Sequence, residues 1–202
     1  MRPAMRVLVN SKHRRRLAVA PSRRALLLGF CVALGVGMAG AELPSPALQA
    51  GRVVLVRHAQ APGVGDPAGF DLRDCRTQRN LSEEGRQQAL RMGEFFRQQR
   101  VPVDAVWSSQ WCRTRETADL AFPGQRVDQA AFNSFFGEPD SAPVQTREAW
   151  ALLDGWQGSG LLVVVTHQVN ITALTGVVPA SAEAVVMARQ AGRWAVVGRL
   201  TP

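Results

Sequence analysis

The chain has 202 residues, room for one domain with a substantial core and too little for two. Its formal net charge of +8 would suit a nucleic-acid partner if it were spread over the fold, yet residues 1–41 hold eight basic and no acidic side chains. From Glu42 onward there are sixteen of each sign, so the body is neutral and offers no charge-based case for binding DNA or RNA.

The basic N-terminal segment reads as an export signal. Basic residues precede the apolar run ALLLGFCVALGVGMAGA, and small Ala39 and Ala41 predict cleavage between Ala41 and Glu42. Ser22, Arg23 and Arg24 just before the run resemble a twin-arginine signal. The run has 17 residues and four glycines, short of the roughly 20 apolar residues a membrane span needs. The expectation is therefore a signal peptide at 1–41 and a mature protein that is periplasmic or extracellular, with no stable membrane insertion. Residues 42–51, ELPSPALQAG, form a linker, and 52–202 form the domain.

Within the domain, RVVLV (52–56) is a continuous β-branched run, the pattern of a strand buried on both faces. Residues 59–80 lack periodicity and contain Pro62, Gly63, Gly65, Pro67 and Gly69, which predicts a long loop of the functional or mobile kind. Ser82 followed by Glu83 and Glu84 is a helix start, and Ala89, Met92 and Phe96 supply an apolar stripe before Pro102. VDAVWSS (103–109) is a second strand, and WCRTRETADLAF (111–122) a helix stopped by Pro123-Gly124. Residues 132–143 are irregular, and VQTREAWALLDGW (144–156) returns to helix. GLLVVVTHQVN (160–170) reads as the most apolar strand, and residues 183–200 as two strands around a turn at Gly192. Apolar runs alternating with helices predict an α/β domain around a largely parallel sheet covered on both faces. Ligands in such sheets sit at the carboxyl ends of the strands.

Three strand ends carry reactive residues: Arg57-His58, Ser108-Ser109 with Arg113 beyond, and Thr166-His167. The mature chain has only these two histidines, and each directly follows a buried-strand pattern. One such histidine would be an ordinary core-edge residue; two of two point to a site. Cys75 and Cys112 could join them in a Cys₂His₂ metal set, but no C-x₂₋₄-C or H-x₃₋₅-H spacing is present and no metal is expected. A G-x-S-x-G elbow for a serine hydrolase is also missing. In an oxidising compartment Cys75 and Cys112 could form one disulfide or remain two separate thiols, and spacing does not choose between them.

Arg57-His58 after an apolar strand, SSQWCRTRETA (108–118), VVVTHQVNITALTG (163–176) and the helix start NLSEEGRQQA (80–89) together resemble the histidine phosphatase superfamily. The resemblance implies a single three-layer α/β/α domain of the phosphoglycerate mutase-like kind, its sheet largely parallel with a mixed edge. It implies an enzyme, a phosphoric monoester hydrolase that needs no cofactor. His58 would attack phosphorus and form a phosphohistidine, splitting one hard displacement into two easier ones. Arg57, Arg113 and His167 would hold the phosphoryl oxygens, since a guanidinium fork matches phosphate geometry. For the acid that protonates the leaving oxygen, Glu138 is the first candidate and Asp140 the second, with Asn133-Ser134 as the alternative occupants of that place. Asp71, Asp74 and Glu148 are outsiders. Arg79 would either reach a second anionic group of the substrate or face solvent, and a Cys75–Cys112 bond would tie the 59–80 loop to the phosphate pocket. The expected partner is a small-molecule or envelope-associated phosphomonoester. A phosphohistidine-protein phosphatase and a non-catalytic phosphate- or glycan-binding module are the alternatives.

Overall fold

The computed structural model describes residues 45–202, so the signal-peptide reading of 1–41 and the first linker residues lie outside the described residues. Strand β1 (Val53–Arg57) runs through the middle of a six-stranded sheet, and its four leading residues have no solvent exposure. It pairs in parallel with β4 (Leu161–Thr166) and antiparallel with β5 (Ala184–Gln190). On the far side of β4 lie β2 (Val103–Ser108) and β3 (Arg126–Asp128), both parallel, while β6 (Arg193–Leu200) closes the other edge antiparallel to β5.

The period-two alternation of β1 and β4 divides the core. Val54, Val56, Val163 and Val165 pack with Met92 and Phe96 of α1 (Glu83–Gln98) and Ala118 of α2 (Cys112–Ala121). Val53, Leu55, Leu162 and Val164 pack instead with Leu153 of α3 (Ala142–Gly155) and with Ile171 and Leu174 of α4 (Gln168–Thr175). Two helices on each face make the three-layer α/β/α domain that the pattern predicts. Among the described residues no helix is long and apolar enough to cross a membrane.

Several boundaries differ from the sequence expectation, each for a local reason. The run 160–170 is not one strand: β4 stops at Thr166, His167 is an extended N-cap, and Gln168 opens α4, which buries Ile171 and Leu174 on one face. Strand β3 was not foreseen, because Arg126-Val127-Asp128 has no apolar run and forms only by pairing with the free edge of β2. Helix α3 starts at Ala142 and includes Pro143, which a first helical turn tolerates because its missing N–H would have no partner there. Between β5 and β6, Ala191 and Gly192 both have positive φ (49° and 80°), as a two-residue hairpin turn requires.

The 59–80 segment is a loop apart from a 3₁₀ turn at Cys75–Thr77, capped by the Asp74 side chain. Cys75 and Cys112 are joined in a disulfide with Cα atoms 5.6 Å apart, so the end of this loop is bonded to the first residue of α2. Gly85 lets α1 press against the loop's start: a Cβ there would meet the Gln60 carbonyl oxygen at 2.1 Å. In the chain-entropy picture, closing a 37-residue loop by a disulfide stabilises the fold by about 4 kcal/mol. The Cys75→Ser variant should therefore melt about 10 °C lower than the oxidised wild type. Thermal unfolding followed by circular dichroism tests this; equal midpoints would mean that loop and helix hold together without the bond.

Candidate active site

The parallel trio β2–β4–β1 brings distant residues to one sheet edge. Arg57 is level with Thr166, and Ser108 with Val165, so all three chains leave the sheet together. Two further backbone bonds extend the alignment past the strands: His58 N–H donates to the Thr166 carbonyl (2.9 Å) and Ser109 N–H to that of Val165 (3.0 Å). The His58 and His167 rings, 109 residues apart in the chain, therefore stand with centroids 5.5 Å apart.

Both rings are 3% exposed. The His58 Nδ1 lies 2.7 Å from the Ala59 carbonyl oxygen, an acceptor only, so the neutral ring carries its proton on Nδ1 and leaves the Nε2 lone pair free. Ala59 is itself pinned, its N–H donating to Thr117 Oγ1 (3.1 Å), which in turn donates to the Arg113 carbonyl (2.7 Å). Burial, then the positive charges of Arg113, Arg79 and Arg57, lower the His58 pKa to about 3, against a smaller opposing effect of the Ala59 bond. At neutral pH this imidazole is uncharged.

His167 has the opposite tautomer. Arg113 Nη2, which can only donate, lies 3.4 Å from its Nδ1, so the proton sits on Nε2 and is donated to Ser109 Oγ (2.8 Å). Ser109 Oγ passes its own proton to Asn133 Oδ1 (3.3 Å), which also accepts the Gln110 N–H (2.8 Å). Burial, followed by the Arg113 charge, holds His167 well below the usual imidazole range.

The guanidinium groups are held by acceptors of different kinds. Arg57 Nη1 donates to the Pro179 carbonyl (2.9 Å). Arg113, 2% exposed, makes a bidentate pair with Asp66, Nη1 to Oδ1 at 2.8 Å and Nη2 to Oδ2 at 3.1 Å. The Nε atoms of both arginines are buried without a hydrogen-bond partner. Asp66 further accepts from the Arg79 N–H (3.1 Å) and from Trp111 Nε1 (3.0 Å). Burial alone would raise the Asp66 pKa, but the Arg113 hydrogen bonds and charge outweigh it and hold the carboxyl ionised below its ordinary value. Arg79 neither reaches outward nor lies on the open surface: it lines the pocket and donates to the carbonyls of Gly65 (2.7 Å) and Ala61.

These groups floor a cavity of about 520 Å³ walled by the 63–70 and 134–138 segments. Of the acid candidates, Glu138 lines the mouth and is exposed, whereas Asp140 lies outside the lining. Asp71 and Asp74 pair with Arg73 and Arg76 in exposed turns, and Glu148 is exposed on α3. Asn133 is engaged with Ser109 and Gln110, and Ser134 lines the pocket. Because the two cysteine sulfurs are bonded to each other, they are not available to a Cys₂His₂ metal set. Asp66 is the site residue that sequence reasoning did not single out, and Ser109, marked there only as half of a serine pair, gains its role as the acceptor for His167. Asp66 is one of three loop aspartates without a distinguishing neighbour, while Ser109 had a usable signal in its place at the end of β2.

A cluster of two neutral imidazoles and three guanidinium groups, with one free ring nitrogen, can receive a tetrahedral oxyanion and attack its centre. A family model described as "Histidine phosphatase superfamily (branch 1)" matches residues 53–131. No curated protein sequence matches the chain. Among solved structures it is similar to the protein histidine phosphatase SixA complexed with tungstate, with 16% identity and TM-score 0.54, covering 74% of this chain and 96% of that one. It is similar too to phosphoglycerate mutase from Bacillus anthracis (14%, TM-score 0.57, 75% and 93%). A third is a mutant phosphoserine phosphatase from Entamoeba histolytica in complex with phosphoserine (10%, TM-score 0.54, 73% and 95%). At these identities the solved structures speak for the fold, and the matched segment contains Arg57, His58, Asp66, Arg79 and Arg113, to which the sheet adds His167. Over residues 53–131 the sequence matches the histidine phosphatase superfamily, and the architecture agrees with the fold of these solved structures.

Proposed function

We propose that this protein is an exported phosphatase that hydrolyses a phosphomonoester through a phosphohistidine on His58, without a metal ion. The observation that carries the reading is the pair of imidazoles, 5.5 Å apart and with Arg57, Arg79 and Arg113 lining the same cavity, of which His58 keeps its Nε2 lone pair free. Three guanidinium groups around one nucleophilic nitrogen suit the charge and shape of a phosphoryl group. In the first step Nε2 of His58 bonds to phosphorus while the P–O bond to the leaving group breaks. The departing oxygen takes a proton from Glu138, the carboxyl at the mouth, or from water. The ring keeps its Nδ1 proton on the Ala59 carbonyl, Arg57 and Arg113 neutralise the equatorial oxygens, and His167 would join them by turning its Nε2–H from Ser109 to a phosphoryl oxygen. In the second step water attacks phosphorus and gives a proton back to the Glu138 carboxylate or to bulk water, the N–P bond breaks, inorganic phosphate leaves and His58 regains its lone pair.

The disulfide supports the export reading, since such bonds persist mainly in oxidising compartments. The walled cavity favours a small molecule over a phosphorylated protein as substrate.

Turnover of p-nitrophenyl phosphate should be unaffected by EDTA and should fall at least about a thousand-fold in His58→Ala; phosphate binding without turnover in the wild type would instead identify a binding module. Because burial and neighbouring cations keep the free-enzyme imidazole neutral, the acid limb of kcat/KM, corrected for substrate ionisation, should not fall near the ordinary imidazole pKa of about 6.5. NMR titration should find the His58 ring uncharged at about pH 5, and titration near 6.5 would refute the electrostatic account. Asp66→Asn should raise KM and lower kcat together, by about ten-fold or more in kcat/KM, because Arg113 loses the acceptor that aims it. Unchanged kinetics would show that Arg113 is held well enough by other contacts.

A further inference from the structure

The cavity has two chemically different parts. The guanidinium groups gather about the two histidines: Arg57 precedes His58 on the chain, Arg113 reaches to 3.4 Å from the His167 Nδ1, and Arg79 lines the same cavity with its carbonyl 3.4 Å from Arg113. Apart from Arg79, two of whose guanidinium nitrogens are taken by the Gly65 and Ala61 carbonyls, the wall above them contains no lysine or arginine. Its large side chains are Val64, Phe70, Trp111, Phe136 and Val169, and its one outer carboxylate is Glu138.

The aromatic members are arranged as a stack leading outward from the floor. Trp111 lies edge-on to His167, with centroids 5.4 Å apart, and its Nε1–H is held by Asp66. Phe70 packs against Trp111 at 5.6 Å. Across the mouth, Phe136 lies over Gly65, whose added Cβ would sit 3.6 Å from the ring. Phe136 is 55% exposed and is the only aromatic among the exposed large hydrophobic side chains of the described residues. An aromatic left in water at the lip of an anion site marks a surface that a ligand covers.

Resting on the proposed phosphatase activity, we infer that the substrate is a monophosphate ester whose alcohol carries a flat or ring-shaped uncharged body, seated between Phe136 and the Phe70–Trp111 pair. A phosphoryl group alone leaves most of the roughly 520 Å³ unfilled. A second anionic group on the alcohol would meet an apolar wall and the Glu138 carboxylate, with no counter-charge beyond Arg79, which the Gly65 and Ala61 carbonyls already hold. Carboxylated esters such as phosphoserine and phosphoglycerate are thus selected against, and ring faces are selected for.

The test compares kcat/KM for 2-phenylethyl phosphate, ethyl phosphate, O-phosphoserine and 3-phosphoglycerate, whose leaving groups are all alcohols. It adds calorimetric binding of 2-phenylethylphosphonate and ethylphosphonate, which cannot be turned over. The ring ester should exceed ethyl phosphate by about thirty-fold, and the carboxylated esters should be poorer than ethyl phosphate. In Phe136→Ala the ratio of ring ester to ethyl ester should drop about ten-fold. Equal values for ring and ethyl esters, an unchanged ratio in Phe136→Ala, or preference for a carboxylated ester or a histidine-phosphorylated protein would overturn the inference. If no ester is hydrolysed while the phosphonates bind with the ring preference, the catalytic reading fails and the subsite stands; if the phosphonates also bind alike, both fall.

Discussion

Burial of two imidazoles among three guanidinium groups is the constraint on which this site rests, and in the mechanism proposed above it keeps the attacking ring uncharged. For His58, burial at the end of an inner strand and the nearby guanidinium charges both penalise the protonated ring. Burial creates a further requirement, that the ring's own N–H find a partner. The Ala59 carbonyl serves, and because it belongs to the next residue the tautomer is set by the backbone turn itself. Thr117 anchors that turn to α2, the helix that also carries Arg113. Position, charge state and tautomer of the ring thus share one small set of contacts.

The cations present the converse problem. Three guanidinium groups close together repel, and Arg113 is nearly inaccessible to water. Asp66 answers with two oxygens on the two Nη atoms and thereby turns the remaining Nε–H away from itself. One carboxylate against three guanidinium groups leaves the floor positive. The same carboxylate gathers the Trp111 indole and the Arg79 backbone, so the 59–80 loop, α2 and the oxyanion floor are coupled through a single side chain. The disulfide from Cys75 to Cys112 adds a covalent tie between the same two segments.

The sheet makes these contacts possible because β2, β4 and β1 are adjacent and parallel, and parallel neighbours release their chains at one edge. The antiparallel β5–β6 hairpin, on the other side of β1, contributes through the turn before β5, where the Pro179 carbonyl orients Arg57. His167 depends on β4 for its place and on Ser109 and Asn133 for its orientation. Mixed pairing therefore supplies an aligned set of strand ends on one side of β1 and a backbone acceptor on the other.

Arg57, His58, Arg113 and His167 were legible before any coordinates because each follows a short-range pattern: a β-branched run ending in a charged or aromatic pair, or a serine pair leading into a helix. Such patterns determine elements and their ends, and with them the α/β architecture, since hydrophobic periodicity is a local property of the chain. The three-residue β3, the end of β4 at Thr166 and the role of Asp66 belong to another class. Asp66 is 47 residues from Arg113, in a loop with no periodicity, and differs from Asp71 and Asp74 only in what the folded chain brings to it. Likewise two cysteines in the sequence allowed a bond without requiring one, and folding brought their Cα atoms to 5.6 Å. The sequence by itself determined which segments bear the reactive groups; tertiary structure alone decided their partners, tautomers and neighbours, because those depend on distances across the fold that no local pattern records.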